Sequence, residues 1–393
     1  MAYSNVKTPR FYIDYGQYLS SMGVLSHPLV MDQKDEDSAW NCNINDPYAI
    51  RKIFGLNNYK KIILDDCGFA YNNNGAVVSQ FFGYDPFYMN GLSQFLDNAN
   101  YLAILGHNFA TTNMYVMIRL KLYDPATDTN VYVPVQSGSG QALYNSEVVG
   151  SGFFKFPDDG CSIISFNGFD LETPLPIRSI ALVIAPEEVA IGSGSWTGNA
   201  NSGIFFSNFS FGRYYDLPFS PDFNIKQTKE YISRTHKTAG GKILSKPKNY
   251  KRPKFGSIGE FGIKSTDLNR TGRKTWDIEY SHLEDKHIMG YNENSTPFFT
   301  EPNSSYSTEE LNNSENQFNY NLNNNIVGSS LNTDLYSNVI HLTQGRLPFI
   351  FQPDNSSFGT SDFNICSFDQ SSFSSRQVTY NMYSTSMKIR ETW

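Results

Sequence analysis

The sequence predicts an all-β protein built from two β-sandwich domains, the second of which carries one flanking helix. Aromatic residues make up 15% of the chain and charged residues 18%. Short apolar and polar alternations recur between clusters of Gly, Asn, Ser and Pro, a pattern typical of strands and turns. With 393 residues the chain is long enough to bury more than one core. We expect an N-terminal strand or arm over residues 1–35, a first sandwich over 36–216 and a second over 217–393.

The N-terminal part reads as a series of strands. The segment RFYIDYGQYL predicts an opening strand; if it pairs with the C-terminal strands, the first sandwich is an insertion. Further strands are predicted at NYLAILGHNF and NMYVMIRLKLYD, and SIALVIA should be central in a sheet because it is apolar on both faces. The prolines of DLPFSPD remove backbone donors and end the pairing near residue 216.

The C-terminal part combines strands with one helix. KTWDIEYSHL predicts a strand with Trp276, Ile278 and Tyr280 on one face, and the Asn- and Ser-rich stretch 291–338 predicts a long surface loop. A helix follows, with an apolar stripe of Leu335, Val339 and Leu342, Thr333 as its cap and Gly345 at its end. One stripe indicates a helix that lies on a sheet. Three strands complete the tail, from LPFIFQPD, FNICSFD and VTYNMYSTSMKIRETW.

A basic segment divides the charge of the chain unevenly. Residues 224–274 hold fourteen Lys and Arg against three acidic residues, a net +11, which leaves −18 for the rest of a chain whose net charge is −7. This arm could be a solvated loop, a contact with an acidic neighbouring subunit or a nucleic-acid contact. Aromatic residues for base stacking are sparse, so we favour the subunit contact. Its candidate residues are Lys248, Lys251, Arg252 and Lys254.

Motifs of catalysis and metal binding are missing from the sequence. There is no G-x-S-x-G, and HKTAGGKIL lacks both the first Gly and the Ser or Thr of a phosphate-binding loop. For His107, in the corner Gly-His-Asn, a role at a bend that tolerates positive φ is favoured over a reactive centre. The four scattered cysteines predict buried free thiols. We therefore expect no enzyme activity, no metal and no cofactor.

The sequence also predicts a protein that does not insert into membranes. The N-terminus lacks the apolar core of a signal peptide, and SIALVIA is far too short to span a bilayer. Synthesis in a cytoplasm is the expectation.

Two blocks of the sequence resemble structural proteins of tailed bacteriophages. YLAILGHNFATTNMYVMIRL, and the stretch from RSIALVIAP to GIFFSNFSFGRYYDLPFSPD, are similar to discoidin-like (galactose-binding-like) jelly rolls. The ending, from GRLPFIFQPD to MKIRETW, resembles the C-terminal half of the tail-tube and distal-tail fold, a sandwich with a flanking helix that finishes on a long strand.

The resemblance implies a virion component of the tail or baseplate, assembled in the host cytoplasm. It implies a homo-oligomeric ring, a hexamer, around the DNA channel, with neighbouring tail-tube, hub or baseplate proteins as partners and DNA only as passing cargo. Edge-to-edge pairing of the last strand would place subunit contacts at Met387, Ile389 and Trp393.

A receptor-binding protein is the alternative function. Trp196, in the loop GSGSWTGNANSG, could stack on a glycan of the host surface, although a Trp that anchors its loop is the favoured interpretation. A glycosidase ranks third, because no pair of catalytic carboxylates can be assigned.

Overall fold

The computed structural model describes residues 6–21, 43–44, 55–56, 62–65, 68–70, 77–80, 99–124, 129–134, 140–142, 147–149, 153–156, 160–166, 177–186, 197–199, 204–223, 225–231, 233–247, 273–288, 334–357 and 362–392. Within these residues the chain forms mostly antiparallel strands with few helices, as the all-β prediction requires.

The strands and helices have the following bounds. The first twelve strands are β1 Arg10–Asp14, β2 Asn43–Ile44, β3 Ile62–Asp65, β4 Gly68–Ala70, β5 Val77–Gln80, β6 Tyr101–Leu105, β7 Met114–Asp124, β8 Thr129–Pro134, β9 Gly140–Ala142, β10 Glu147–Val149, β11 Phe153–Lys155 and β12 Cys161–Phe166. The others are β13 Ile177–Pro186, β14 Thr197–Asn199, β15 Ile204–Phe206, β16 Asn208–Asp216, β17 Lys226–Glu230, β18 Ser233–Lys237, β19 Ile243–Pro247, β20 Arg273–Glu284, β21 Phe349–Gln352, β22 Asn364–Phe368, β23 Ser375–Thr379 and β24 Met382–Glu391. The helices are α1 Tyr15–Ser21, α2 Asp285–Ile288 and α3, residues 335–343, which contains the π-helical turn Tyr336–Ile340 and the α-helical turn His341–Thr343.

One large sheet joins strands from all parts of the chain. It has eleven strands, in the order β17-β20-β24-β22-β21-β1-β16-β6-β12-β9, with β23 paired to β24 beside this path. The opening strand β1 lies inside the sheet, with Tyr12 opposite both Tyr214 of β16 and Ile350 of β21. The N-terminal strand therefore pairs with the C-terminal strands, and also with the strand that closes the middle part of the chain.

Two apolar layers cover the two faces of this sheet. On one face Phe11 contacts Phe349 and Phe351, with ring centroids 5.6 and 5.3 Å away, and Trp276 packs on Phe351 at 5.3 Å. Helix α3 contacts β1, and its apolar stripe is buried as the sequence predicts. The other face holds a second buried cluster, formed by Tyr12, Leu56, Tyr101, Ala103, Leu105, Ile163, Ile350, Phe363 and Ile365. Burial of this apolar area is the main stabilising contribution to the fold.

The smaller sheets come from the middle of the chain. A six-stranded sheet has the order β10-β11-β7-β13-β5, with β8 beside β7. Strand β13 contains SIALVIA and pairs with β7 on one side and β5 on the other, so the prediction of a central position is confirmed. The short strands β2, β3, β4, β14 and β15 form two further small sheets.

Three predictions about local structure were incomplete. The opening strand ends at Asp14, and the helix α1 follows where the sequence predicted a longer strand. The final segment is a hairpin of two strands, because Asn381 takes a positive φ of 58° and reverses the chain between β23 and β24. At the Gly-His-Asn corner only Gly106 has positive φ, 71°, so a single glycine makes the bend.

The cap of α3 also differs from the prediction. Asp334 precedes the helix, and its Oδ1 accepts a hydrogen bond of 2.7 Å from the backbone N–H of Ser337, the position that an N-cap satisfies. Thr333, the predicted cap, lies outside the described residues. At the other end Gln344 and Gly345 take positive φ of 53° and 64°, and the helix ends there as predicted.

Gly212 allows β16 to approach β1 closely, which gives a first testable prediction. A Cβ at Gly212 would lie 2.0 Å from the carbonyl oxygen of Ile13, a contact that the backbone cannot relieve without separating the strands. Gly212→Ala should therefore lower the free energy of unfolding by about 3 kcal/mol or more. Thermal unfolding measures the change.

Gly240→Ala is the matched control. A Cβ there meets nothing within 4 Å, so the variant should stay within about 0.5 kcal/mol of the wild type. Equal unfolding temperatures for the two variants would contradict the close approach of β1 and β16.

The buried carboxyl of Asp14 gives a prediction about pH. Its Oδ1 accepts a hydrogen bond of 3.0 Å from the backbone N–H of Gln17 and so caps α1. Burial raises the pKa of Asp14 to about 7, against about 3.9 in an unfolded chain. The folded protein thus binds this proton more tightly, and the stabilisation is complete below about pH 4 and lost as the pH rises through 7.

Asp14→Asn keeps an acceptor at the cap and cannot ionise. It should be more stable than the wild type at pH 8, by about 1–3 kcal/mol, and this advantage should shrink steadily towards pH 4. Chemical denaturation at a series of pH values checks this. Parallel pH profiles for the two proteins would show that Asp14 does not titrate in this range.

Candidate assembly surface

Two strands in the C-terminal part of the large sheet have a partner on one side only. In the described part of the chain β17 pairs only with β20, and β23 pairs only with β24. Strand β17 is at the margin of the sheet, whereas β23 pairs with the first half of β24 on the side where β22 pairs with its end. Unpaired N–H and C=O groups along a free strand edge can extend a sheet into another chain.

The sequence of β17 suits an exposed edge. Its residues, KQTKE, are all polar and are exposed or half-buried. Its partner β20, in contrast, alternates between buried and exposed side chains: Trp276 and Ile278 are buried, and Glu279 is exposed. Lysines on an exposed edge strand are one of the features that prevent non-specific edge-to-edge pairing.

Ion pairs attach β17 to the C-terminal strand. Glu230 accepts a hydrogen bond of 2.6 Å from Arg390 of β24, and Arg390 also lies 3.8 Å from Asp369. Asp369 in turn pairs with Lys388 at 3.1 Å, and this hydrogen bond raises the pKa of Lys388. Glu230 therefore joins the edge strand, through Arg390, to a network of ion pairs around β24.

A basic hairpin continues from β17. Strands β18 and β19 pair with each other around a turn at Gly240 and Gly241, where Gly241 takes a φ of 81°. Thr238 closes the turn, because its N–H donates to the carbonyl of Lys242 at 2.9 Å. Every residue from 235 to 245 is exposed. A two-stranded hairpin has little stability of its own in water, so a partner surface would stabilise it.

The hairpin exposes apolar side chains at consecutive positions. Ile243 is 67% exposed and Leu244 51%, and Tyr231 at the base of the hairpin is exposed as well. Consecutive residues of a strand point to opposite faces, so each face of the hairpin presents one aliphatic side chain to solvent. Both side chains follow Lys242 directly in the sequence, within the basic hairpin.

The hairpin is basic. From Tyr231 to Pro247 the sequence has four Lys and Arg and no Asp or Glu. The backbone register places Arg234 opposite Lys246. A surface that carries carboxylates would have the complementary charge.

The opposite edge carries a second exposed apolar group. Tyr380, at the turn between β23 and β24, is 87% exposed, and Val378 of β23 is more than half exposed.

The segment before β17 is held against β20 and α2. Phe219 packs edge-on against His287 with ring centroids 5.8 Å apart. Ser281 donates a hydrogen bond to Asp222, and the N–H of Asp222 donates to the carbonyl of Glu279 at 2.9 Å.

The predicted contact residues of the last strand have a different position. Met387 is 2% exposed and Ile389 is fully buried, and they face Ile278 and Trp276 across the pair β20–β24. Both side chains belong to this chain's own core, so the prediction that they contact another subunit is corrected. The alternation with Lys388 and Arg390 marked the inward face of the strand, and the outward residues form the ion-pair network.

Several other predicted site residues lie outside the described part of the chain. They are Trp196, Lys248, Lys251, Arg252, Lys254 and Trp393. The sequence analysis missed Tyr231, Ile243, Leu244, Val378 and Tyr380. A signal was present for two of them, because the pair Ile243–Leu244 directly follows a Gly-Gly turn in a segment that is otherwise basic.

His107 is a buried structural residue. Its ring stacks on Phe109 at 4.9 Å and 11°, and its Nε2 lies 2.9 Å from the hydroxyl of Ser162. Burial lowers the pKa of His107 to about 3, so the imidazole is neutral at physiological pH. No carboxylate is hydrogen-bonded to the imidazole in the described structure, and packing against two phenylalanines explains the residue.

Among the described residues, no cluster of three or more His, Cys, Asp or Glu is arranged to hold a metal ion. None of the described helices has the length and apolar character that a membrane crossing requires.

An open groove of about 390 Å³ lies at the C-terminal end of α3, lined by residues that include His341, Arg346 and Phe373.

Comparison with known proteins leaves the family of the chain open. No protein-family model, no curated protein sequence and no solved structure matches it. Function must therefore be inferred from the residues and contacts of this chain.

The ion-pair network gives a prediction about the edge strand. Arg390→Gln removes the partner of Glu230, so β17 should lose up to about 1 kcal/mol of local stability. Amide hydrogen exchange over residues 226–230 should accelerate, while exchange in β21 and β22 stays slow. Lys286→Gln is the control, because its pair with Glu284 joins two well-exposed side chains. Unchanged exchange in Arg390→Gln would show that backbone pairing alone holds the edge.

Proposed function

We propose that this chain is a structural subunit that assembles by extending its large sheet into neighbouring copies. The carrying observation is that, among the described strands, β17 and β23 each pair along one side only and lie on opposite sides of the pair β20–β24. A subunit with two different free edges forms head-to-tail contacts, and such contacts close into a ring when the rotation between copies allows it.

The strand directions favour this arrangement. Neighbouring strands in the series β17, β20, β24 and β23 are all antiparallel, and the series has an even number of strands, so β23 runs opposite to β17. When copies are related by rotation about an axis roughly parallel to the strands, β23 of one copy meets β17 of the next in an antiparallel sense. The continued sheet would then have the same hydrogen-bonding pattern within and between subunits.

The hairpin β18–β19 supplies a second contact in this proposal. Its basic residues and its exposed aliphatic pair, Ile243 and Leu244, dock on an acidic surface of the neighbouring copy. The residues outside the basic segment carry a net charge of −18, and we place the acidic docking surface among them. Electrostatic attraction would orient the subunits, and the apolar side chains would hold them once in contact.

The ring that we propose belongs to the tail or baseplate of a tailed bacteriophage. The resemblance of the sequence to discoidin-like jelly rolls and to the tail-tube and distal-tail fold supports this assignment. We infer two sandwich domains, with the jelly roll inserted between β1 and the C-terminal strands, and the position of β1 between β16 and β21 supports such an insertion. In this assignment the subunit is a non-enzymatic virion protein, its ring is a hexamer, and DNA passes through the channel.

The state of assembly tests the proposal directly. Purified full-length protein should form rings in a concentration-dependent manner, visible by light scattering after size exclusion and by negative-stain microscopy. Lys237→Glu combined with Lys242→Glu should weaken the assembly at least tenfold, and added salt should weaken the wild type in the same direction. Lys286→Glu, an exposed lysine outside the hairpin and β17, is the control and should assemble normally.

A pair of proline variants tests the edge itself. Successive residues of β17 direct their N–H groups alternately towards β20 and away from it, so Gln227→Pro and Thr228→Pro have different effects. One of them should unfold at a lower temperature because it breaks the pairing with β20. The other should keep the wild-type unfolding temperature and fail to assemble. If the well-folded variant forms rings like the wild type, or if the wild type stays monomeric at all concentrations, the proposal is wrong.

A further inference from the structure

Three polar residues meet on one face of the large sheet, where β20, β22 and β24 end together. In the antiparallel pair β20–β24, Thr275 lies opposite Arg390. The next position places Lys274 of β20 opposite Glu391 of β24. Glu391 is paired with Cys366 of β22, two residues from Asn364. The alternation of side chains puts Lys274, Asn364 and Glu391 on the same face, beside Trp276.

The contacts between these residues are direct. Lys274 Nζ donates to Asn364 Oδ1 at 3.4 Å, and the backbone N–H of Lys274 donates to Glu391 Oε2 at 2.7 Å. The amide nitrogen of Asn364 donates to the carbonyl of Asp362 at 3.0 Å. The side-chain amide is therefore held with its carbonyl oxygen towards the lysine amine.

Two of the three residues are buried and the third is half-buried. Asn364 is 1% exposed and Glu391 2%, Trp276 and Cys366 beside them are buried too, and Lys274 is half-buried. Lys274 Nζ lies 5.8 Å from the centroid of the Trp276 ring. Polar groups buried in this way are costly unless they interact with one another. An amine, a primary amide and a carboxyl group in a shielded site are also the components of a transamidation.

We propose that Lys274 and Asn364 form an intramolecular isopeptide bond, with Glu391 transferring the proton. The lone pair of the neutral Lys274 amine attacks Cγ of Asn364, and the bond between Cγ and Nδ2 breaks. Glu391 takes a proton from the attacking nitrogen and delivers it to the departing one, so that one molecule of ammonia leaves. The reaction needs no oxidant and no cofactor, because an amide is exchanged for an amide.

The bond would connect β20 to β22 across the end of β24. These are the two strands that flank the C-terminal residues of β24, so the last strand would be enclosed by a covalent loop. A crosslink of this kind stabilises a fold by restricting the unfolded chain, as other covalent crosslinks do. The inference is independent of the ring proposal, since it concerns one chain alone.

Mass spectrometry of the denatured full-length protein tests the bond. The intact mass should be lower than the sequence mass by one ammonia, and a tryptic digest should contain one branched peptide that joins the segments around Lys274 and Asn364. Lys274→Arg and Asn364→Ala should each have the full sequence mass. Glu391→Gln should keep Lys274 and Asn364 unlinked, which separates proton transfer from simple proximity.

Lys388→Arg is the matched control, because Lys388 is an exposed lysine of β24 that should leave the crosslink intact. These masses are read after denaturation, so a variant that folds poorly does not obscure the wild-type result. A wild-type mass equal to the sequence mass after prolonged incubation of the folded protein would overturn the proposal. Loss of ammonia without the branched peptide would overturn it as well, since a cyclised asparagine has the same mass change.

Discussion

The fold depends on the backbone hydrogen bonding of β1 on both of its sides. This strand of five residues joins β16, which closes the middle part of the chain, to β21, which begins the C-terminal part. Arg10 reinforces the junction through two hydrogen bonds to Asp216, of 2.6 and 2.7 Å, while its guanidinium lies 4.0 Å from the centroid of the Tyr214 ring. Both ends of the chain and its middle are thereby fixed in one sheet.

Apolar residues concentrate at the centre of this sheet, and polar residues lie towards its open edges. Phe11, Tyr12 and Ile13 of β1 are all buried, whereas β17 is made only of polar residues. The centre is closed to solvent on both faces and carries the stability of the fold. Among the described strands β17 and β23 each pair along one side only, and our assembly proposal is based on these two strands.

Buried polar groups in this protein have defined structural roles. Asp14 caps α1 and Asp334 caps α3, and these two helices touch through a hydrogen bond of 3.0 Å from Gln344 to Ser21. The cluster of Lys274, Asn364 and Glu391 differs from these caps, because its groups could react with one another. One physical condition, exclusion of water, thus gives the carboxyl of Asp14 its raised pKa and would shield the proposed crosslink.

Local pattern in the sequence determined most of the strands and the principal helix. Alternation predicted the buried face of Trp276, Ile278 and Tyr280, the stripe of Leu335, Val339 and Leu342 predicted α3, and the run SIALVIA predicted a central strand. Such features depend on residues close together in the chain, so they can be read from it. The pair Ile243–Leu244 can also be read from the sequence, but its exposure was visible only in the structure.

Only the tertiary structure decided which strands are neighbours and which edges stay open. The alternation around Met387 and Ile389 fits a face turned to another subunit as well as one turned to the chain's own core. Both residues are buried beside Ile278 and Trp276 of β20, so the face belongs to the core. The same holds for two local features. The chain reverses at Asn381, which takes a positive φ, and a helix begins after Asp14, which caps it. Residue propensities alone do not predict either feature. The two-residue repeat of a strand shows which side chains share a face. What covers that face is set by contacts between residues more than a hundred positions apart, such as Ile278 and Met387.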